Sequence, residues 1–417
     1  MAAGTVNYFD RAALSIGNPE IREDLGLSYS QMGLLLSAFA WAYGLAQIPA
    51  GALVDKYGPR KALGASLVLW SFAQMTAGFT FSLGQFLAAR IALGLGESPM
   101  YIGGTRVCAD WFALKKRALP IAIFNSSSAL APALAPPLLT LLMVLFGWRA
   151  MFIAAGLAGF AVAAFWIVLY RSPRHTGIPA ADLAEISADD GRDLEHVGWR
   201  QVPWLLKFRT AWGMFLGFFG VVYVYWLYAT WLPGYLESER HVSVADAGIW
   251  TAVPLASGFL GAVLGGYFSD RLAARGWDAA ASCRIPIVWG LIGAGIFTVA
   301  GAFATDLWLA IALMSLGLFA ANVSSSCGWA LAAVVAPSNT VATLEAIQNV
   351  GGSLGGALAP LISGVIVQAT GSFLPAFVLA GVISLGCAAI YHLMTRERIV
   401  APEPELTHLA PGNILPG

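Results

Sequence analysis

The sequence predicts an all-α polytopic membrane protein with twelve transmembrane helices in two pseudo-symmetric six-helix bundles. Three observations carry this. Of 417 residues, 58% are hydrophobic and 11% charged, against about 25% charged in a soluble domain, so polar groups are too few to cover a water-facing surface. Apolar runs of about 20 residues, long enough to cross ~30 Å of hydrocarbon as helix, recur along the chain. Continuous stretches such as LLTLLMVLFGW lack the alternation of a barrel strand.

The runs fall near residues 1 to 20, 31 to 53, 61 to 80, 83 to 108, 118 to 145 and 149 to 170, then 210 to 236, 247 to 269, 284 to 303, 306 to 334, 340 to 368 and 371 to 394. The longest polar stretch, about 171 to 209, carries Asp182, Glu185, Asp189, Asp190, Arg192, Asp193, Glu195 and Arg200 and divides the runs six and six. The expected organisation is an N-terminal bundle over 1–170, a central loop over 171–209, a C-terminal bundle over 210–395 and a tail over 396–417. Alternate loops gather the basic residues on one side, among them Lys56, Arg60, Lys61, Lys115, Lys116, Arg117, Arg271, Arg275 and Arg284. The other side has only Arg22, Arg149 and Arg240. Basic loops stay in the cytoplasm, which predicts a multi-pass protein of the inner membrane with both termini cytoplasmic.

An internal echo relates the halves. GALVDKYGPRK follows the second run and GGYFSDRLAARG the eighth, sharing a Gly-x-x-x-Asp-basic core about half a chain apart. Repeats of this kind are common in secondary transporters, with the substrate site between them near the bilayer midplane.

Lys plus Arg and Asp plus Glu both total 23, so the net charge is zero and points to no nucleic-acid partner. Cys108, Cys283, Cys327 and Cys387 lack the spacing of a zinc or redox site and read as small buried hydrophobes. The five histidines fall in loops or near helix ends, and no His-Glu-x-x-His pattern occurs. No metal or cofactor is expected, and Walker and Gly-x-Ser-x-Gly motifs are absent. The partners expected are the bilayer, a small solute and an ion; a monomer suffices.

Charged side chains inside the hydrocarbon cost at least ~2.5 kcal/mol each on insertion scales. The set is short: Asp10 and Arg11 in the first run, Arg90 and Glu97 in the fourth. Asp10 stands about 14 Å along its helix from Met1, near the midplane. Adjacent helix positions differ by ~100°, so Asp10 and Arg11 cannot share one direction. The expected division has Asp10 facing Arg90 and Glu97, and Arg11 facing a central cavity. A neutralised cluster that only pins two helices is the structural alternative, but permanently paired buried charges seldom outperform apolar packing, and intramembrane ionisable groups mark ion or substrate paths. Burial favours a neutral carboxyl and a neighbouring guanidinium favours a charged one, a balance suited to proton exchange by Asp10 and Glu97. Arg11, always charged and bidentate, suits a carboxylate.

GALVDKYGPRK and RIALGLGE, Arg90 to Glu97, resemble the loop 2-3 and helix 4 signatures of the major facilitator superfamily. NYFDRAALSI, RIALGLGESP, WFALKKRALPIAIFNSSS, GWRAMF and NVGGSLGGALAPLISGVIV, in that order over nearly the whole chain, resemble its anion:cation symporter family. That resemblance implies import of an organic anion, a sugar acid or an aromatic or aliphatic carboxylate, together with protons. It implies that Asp10 and Glu97 are the protonatable pair with Arg90 modulating them, and that Tyr8 and Arg11 contact the anion. Tyr43, Ser326, Trp329 and Asn349 would line the pocket, while Asp55, Arg60, Arg117 and Asp270 would belong to a cytoplasmic gate.

The chain departs from the pattern at three points. Ser128 stands where sugar-acid carriers of the family often place an amide, which weighs against a polyhydroxylated substrate. Glu345 replaces a usually small residue, as a gate group or a wetted position. The family usually has a longer apolar and basic lead before the NY-x-DR motif. Of Tyr223, Tyr225, Tyr228 and Trp231, one or two are expected at the pocket, since membrane aromatics more often pack or sit at the interface. Gly351, Gly352, Gly355 and Gly356 form small-xxx-small patterns for close helix packing, and Pro132, Pro136 and Pro137 are expected to bend or break their helix. Anion exchange or uniport without protons, and a transporter-like nutrient sensor, are the alternative functions.

Overall fold

The computed structural model describes residues 1–112, 120, 124, 127–171, 202–336 and 340–399. Its helices are α1 (Ala2–Ile16), α2 (Asn18–Leu25), α3 (Tyr29–Ala77), α4 (Leu83–Glu97), α5 (Pro99–Trp111) and α6 (Ser127–Leu169). After the central stretch come α7 (Val202–Leu205), α8 (Arg209–Ser238), α9 (Val244–Ala274), α10 (Ala279–Phe303), α11 (Leu307–Val335), α12 (Val341–Thr370) and α13 (Leu374–Met394). They account for the twelve predicted spans, because α3 and α6 each hold two and α4 with α5 forms one.

The loop expected between the second and third spans is reduced to a single residue. Gly58 adopts φ 74° and ψ 158°, and helical geometry resumes at Pro59. A left-handed φ suits glycine, and proline's fixed φ suits the first turn of a helix. Gly147 does the same in α6 with φ 78°. That is the interruption of α6: the helix continues through Pro132, Pro136 and Pro137. The central loop lies mostly outside the described residues, as does the tail beyond residue 399.

Within the first half α3 packs on α4, α5 and α6, and α1 on α6; within the second, α10 and α9 pack on α11, α12 and α13 on α8, and α10 on α13. The two halves meet through α3 with α12, α6 with α9, and α1 with α8. Specific contacts of these meetings lie toward the end opposite the basic loops. Tyr29 donates its backbone N–H to Gln368 Oε1 at 3.0 Å, and the Ser15 hydroxyl donates to the Thr230 carbonyl at 2.8 Å. A Cβ on Gly33 would lie 2.7 Å from the Pro360 carbonyl oxygen, so only glycine lets α3 and α12 approach this closely.

The apolar core follows the same division. At the non-basic end one cluster joins both halves, with Leu14, Leu36 and Leu139 of the first and Leu227, Trp231 and Phe377 of the second among its members. Toward the basic end the core splits. One cluster, around Phe39, Trp70 and Leu93, belongs to the first half; another, around Ile287, Leu331 and Tyr391, belongs to the second. The split leaves a space between the halves. Cys283, Cys327 and Cys387 sit in the second-half cluster, and all four cysteines are buried.

Candidate functional site

Helix α1 presents two polar faces. Gly4, Asn7 and Asp10, spaced by three, are buried against the first half, while Tyr8, Arg11 and Ser15 face the space between the halves. Across from them α4 ends at Glu97 because Pro99 lacks the N–H that would bond the Leu95 carbonyl. The Ser98 hydroxyl donates to that carbonyl instead, at 2.9 Å. Gly94 brings α4 onto α3, since a Cβ there would lie 2.7 Å from the Phe39 carbonyl.

This geometry brings Arg11 into an ion pair with Glu97. Arg11 Nε donates to Glu97 Oε2 at 3.0 Å, with the Glu97 side chain fully buried. The guanidinium lies over the rings of Phe39 and Tyr43, each 4.8 Å away, and Tyr8 at 5.2 Å. Arg90 donates to the backbone carbonyl of Asp10 at 3.4 Å and lies 5.3 Å from the other guanidinium's partner ring, Phe39. The Asp10 carboxyl is completely buried and both of its oxygens lack a hydrogen-bond partner among the described residues. Its charged neighbours are Glu97, Arg90 and Arg11. Asp10 thus lies near Arg90 and Glu97 and Arg11 borders the cavity, while the ion pair to Glu97, which the sequence did not assign, is made by Arg11. The ~100° step separates the two Cβ directions, but the length of the arginine stem lets Arg11 border the cavity and still reach α4. Asn7 faces Glu97 at a geometry short of a hydrogen bond.

The space between the halves is a cavity of ≈970 Å³. Tyr8, Arg11, Tyr43, Ser128, Trp329 and Asn349 line it, as the sequence led us to expect. Ser326 does not. Its hydroxyl donates to the Val323 carbonyl at 3.1 Å and faces Gly265 of α9, while Ser325, one helical step away, lines the cavity. Tyr225 is the α8 tyrosine that reaches the cavity; Tyr223, Tyr228 and Trp231 are buried in packing. Glu345 lines the cavity near its basic end.

Phe39, Gln47, Tyr101 and Asn322 also line the cavity and were not singled out from the sequence. A signal existed for some. Asn322, Ser325 and Trp329 fall at i, i+3 and i+7, and Glu345, Asn349 and Gly352 at i, i+4 and i+7, the stripes expected of helix faces turned to water.

Beyond Tyr8, Arg11, Tyr225 and Trp226 lies a second void of ≈40 Å³, bounded by Pro132, Pro136, Pro233 and Thr251. Tyr8, Arg11, Tyr225 and Trp226 border both spaces. They form a thin partition between the large cavity and the closed end.

Of the residues assigned to a gate, Arg60 and Asp270 make no contact with each other among the described residues. Arg60 is exposed and donates to the Ile167 carbonyl at 3.3 Å, within its own half. Asp270 is exposed at the basic end of α9 and makes no ion pair among the described residues. Asp55 lies in α3, but its side chain is outside the described residues, as is Arg117.

Two helical halves, closed together at one end of a membrane-spanning bundle and separated at the other by a cavity with buried charges at its apex, define a membrane carrier. The family model described as Major Facilitator Superfamily matches residues 1–278, and the chain belongs to that superfamily; it is a transporter and not an enzyme. A probable L-galactonate transporter of Escherichia coli (strain K12) is 37% identical over 407 residues, covering 97% of this chain and 89% of that protein. A probable galactarate/D-glucarate transporter of Bacillus subtilis (strain 168) is 32% identical, covering 96% and 92%. In fold, a bacterial homolog of the human lysosomal transporter Spinster, in an inward-facing and unoccupied conformation, matches with TM-score 0.78 at 20% identity over 94% of this chain and 95% of that one.

Proposed function

We propose that this chain imports a sugar acid, or a closely related organic anion, by proton-coupled symport through alternating access. The observation that supports it most is the sharing of Arg11: one guanidinium faces the cavity, lies among three aromatic rings and is paired with Glu97. A substrate carboxylate and the Glu97 carboxylate compete for it. Protonation of Glu97 releases Arg11 to bind the anion, and loss of that proton reclaims Arg11 and expels it. Proton and anion therefore favour each other's binding, which symport requires. Asp10, buried without a hydrogen-bond partner, is a poor place for a lasting charge and serves as the second proton site, with Arg90 setting how readily it ionises.

The remainder of the substrate meets hydrogen-bonding side chains. Gln47, Asn322, Ser325, Asn349 and Ser353 border the cavity, enough to suit a polyhydroxylated chain despite the short Ser128. The names of the two relatives point to the same chemistry. With the basic loops in the cytoplasm, both termini lie inside and the cavity opens inward. The thin layer of Tyr8, Arg11, Tyr225 and Trp226, together with the closed end, separates it from the outside. Rocking of the halves alternates access, and a monomer suffices.

Uptake into proteoliposomes tests this. A hexonate or hexarate from a panel should accumulate only under an inward proton gradient, and Asp10→Asn and Glu97→Gln should abolish accumulation. Uptake indifferent to the gradient and to both substitutions defeats symport and leaves exchange or uniport.

A further inference from the structure

A second concave site lies on the outer flank of the second half, away from the central cavity. It is a groove of ≈470 Å³ between α9, α10 and α11, and it shares no lining residue with the cavity. Its walls are apolar: Phe268, Trp289, Phe297 and Leu316, with Trp289 68% exposed. Its basic end is formed by Arg271 and Arg275, the last turn of α9 and its cap. Arg271 touches the Tyr267 hydroxyl at 3.1 Å, and neither arginine is ion-paired among the described residues.

From Ile285 to Phe297 the groove follows α10 for about 18 Å at 1.5 Å per residue, close to the ~15 Å of hydrocarbon in one leaflet. A ligand that fits has an anionic head at the arginines and an apolar tail reaching the bilayer centre. We propose that this groove binds an anionic phospholipid of the leaflet that contacts the basic loops. Its phosphate sits between Arg271 and Arg275, where guanidinium groups bind phosphate in forked geometry, and one acyl chain lies along Phe268, Trp289 and Phe297. Juxtamembrane basic residues attract anionic lipid. The groove adds a shaped bed for the chain, which the general bias of basic residues to one side does not require.

Trp289 reports occupancy directly. The full-length protein is reconstituted in phosphatidylcholine bilayers containing either phosphatidylglycerol or phosphatidylcholine with brominated acyl chains, and the Trp289 signal is taken as the difference between the parent and Trp289→Phe. Brominated phosphatidylglycerol is expected to quench that signal with about tenfold higher apparent affinity than brominated phosphatidylcholine. The preference should vanish in Arg271→Gln/Arg275→Gln. Each single replacement should lose about threefold, which keeps the test open if the double variant does not fold. Equal quenching by the two lipids, or a preference that survives removal of both arginines, overturns the proposal; so does quenching confined to tryptophans other than Trp289.

Discussion

Arg11 Nε lies 3.0 Å from Glu97 Oε2, while the Asp10 carboxyl, one residue earlier in the same helix, has no hydrogen-bond partner among the described residues. The two acids of the cluster thus stand in different settings. One holds the cavity arginine, and the other is buried against Arg90 through its backbone carbonyl alone. Their substitutions should differ in kind.

Replacing Glu97 by Gln removes the charge that competes with substrate for Arg11. Affinity for the anion should rise, because Glu97 no longer holds that guanidinium in an ion pair. Accumulation against a gradient should be lost while counterflow of labelled for unlabelled anion persists. In the parent, apparent affinity should increase as pH falls, since protonation of Glu97 frees Arg11; in Glu97→Gln that dependence should flatten. Thermal shifts with ligand, followed against pH in both proteins, check the sign.

Asp10→Asn should behave otherwise. A charged Asp10 held by Arg90 would be a buried pair, and cutting one costs 3–5 kcal/mol, on the order seen when a partner is left uncompensated. The unpartnered carboxyl points the other way, toward a neutral form that an amide of similar shape replaces cheaply. The melting temperature of ligand-free Asp10→Asn should stay within about 3 °C of the parent, or rise, while proton-driven uptake is lost. A fall of 10 °C or more would return Asp10 to a structural ion pair.

Phe39 lies 4.8 Å from the Arg11 guanidinium and 5.3 Å from that of Arg90. A ring close to two cations is attracted to both, each contact contributing about 0.5–2 kcal/mol. Phe39→Leu keeps most of the volume and removes the ring, so the protein should fold and bind its anion about five- to tenfold more weakly. Phe39→Tyr should retain the parent affinity. Loss of expression in both variants would show a packing role only.

The fold was legible because a bilayer imposes long apolar runs and a sided charge bias, and Asp10, Arg11, Arg90 and Glu97 stood out against that background. What sequence could not resolve is direction. That Arg11 borders the cavity and also pairs with Glu97 depends on the reach of an arginine stem and on the close approach of α4 at Gly94. Ser325 and Ser326 differ by one helical step, and only the stripe through Asn322 and Trp329 favours the first. Phe39 gave no contrast at all, because a phenylalanine in an apolar helix resembles its neighbours until the two guanidiniums beside it are placed.

The same one-step register gives a test within α11. Ser325 borders the cavity, and Ser326 is turned to Gly265. Ser325→Ala should raise the KM for a polyhydroxylated anion several-fold, since one lost hydrogen bond is worth about 0.5–1.5 kcal/mol, and should affect a short carboxylate without hydroxyls less. Ser326→Ala should leave both constants unchanged. Equal effects of the two substitutions on KM would mean that both serines meet substrate during the cycle, as α11 turns.

The alternation of access proposed above requires the closed end to open, and its contacts are specific enough to trap. The Tyr29 backbone N–H donates to the Gln368 side chain across the two halves at 3.0 Å, next to the point where Gly33 leaves no room for a Cβ against Pro360. A disulfide between Tyr29→Cys and Gln368→Cys should hold this end shut. Transport should stop on mild oxidation and return on reduction, while either single variant transports under both conditions. The four native cysteines are buried, so the added pair can be formed in their presence. The opposite perturbation is Gly33→Val, whose side chain keeps α3 and α12 apart and shifts the population away from the closed form. In that variant, a cysteine placed at Thr251, beside the small void, should react faster with an impermeant thiol reagent added from the non-basic side. If oxidation of the Tyr29/Gln368 pair leaves transport intact, this end does not open during the cycle and access is gained by another route.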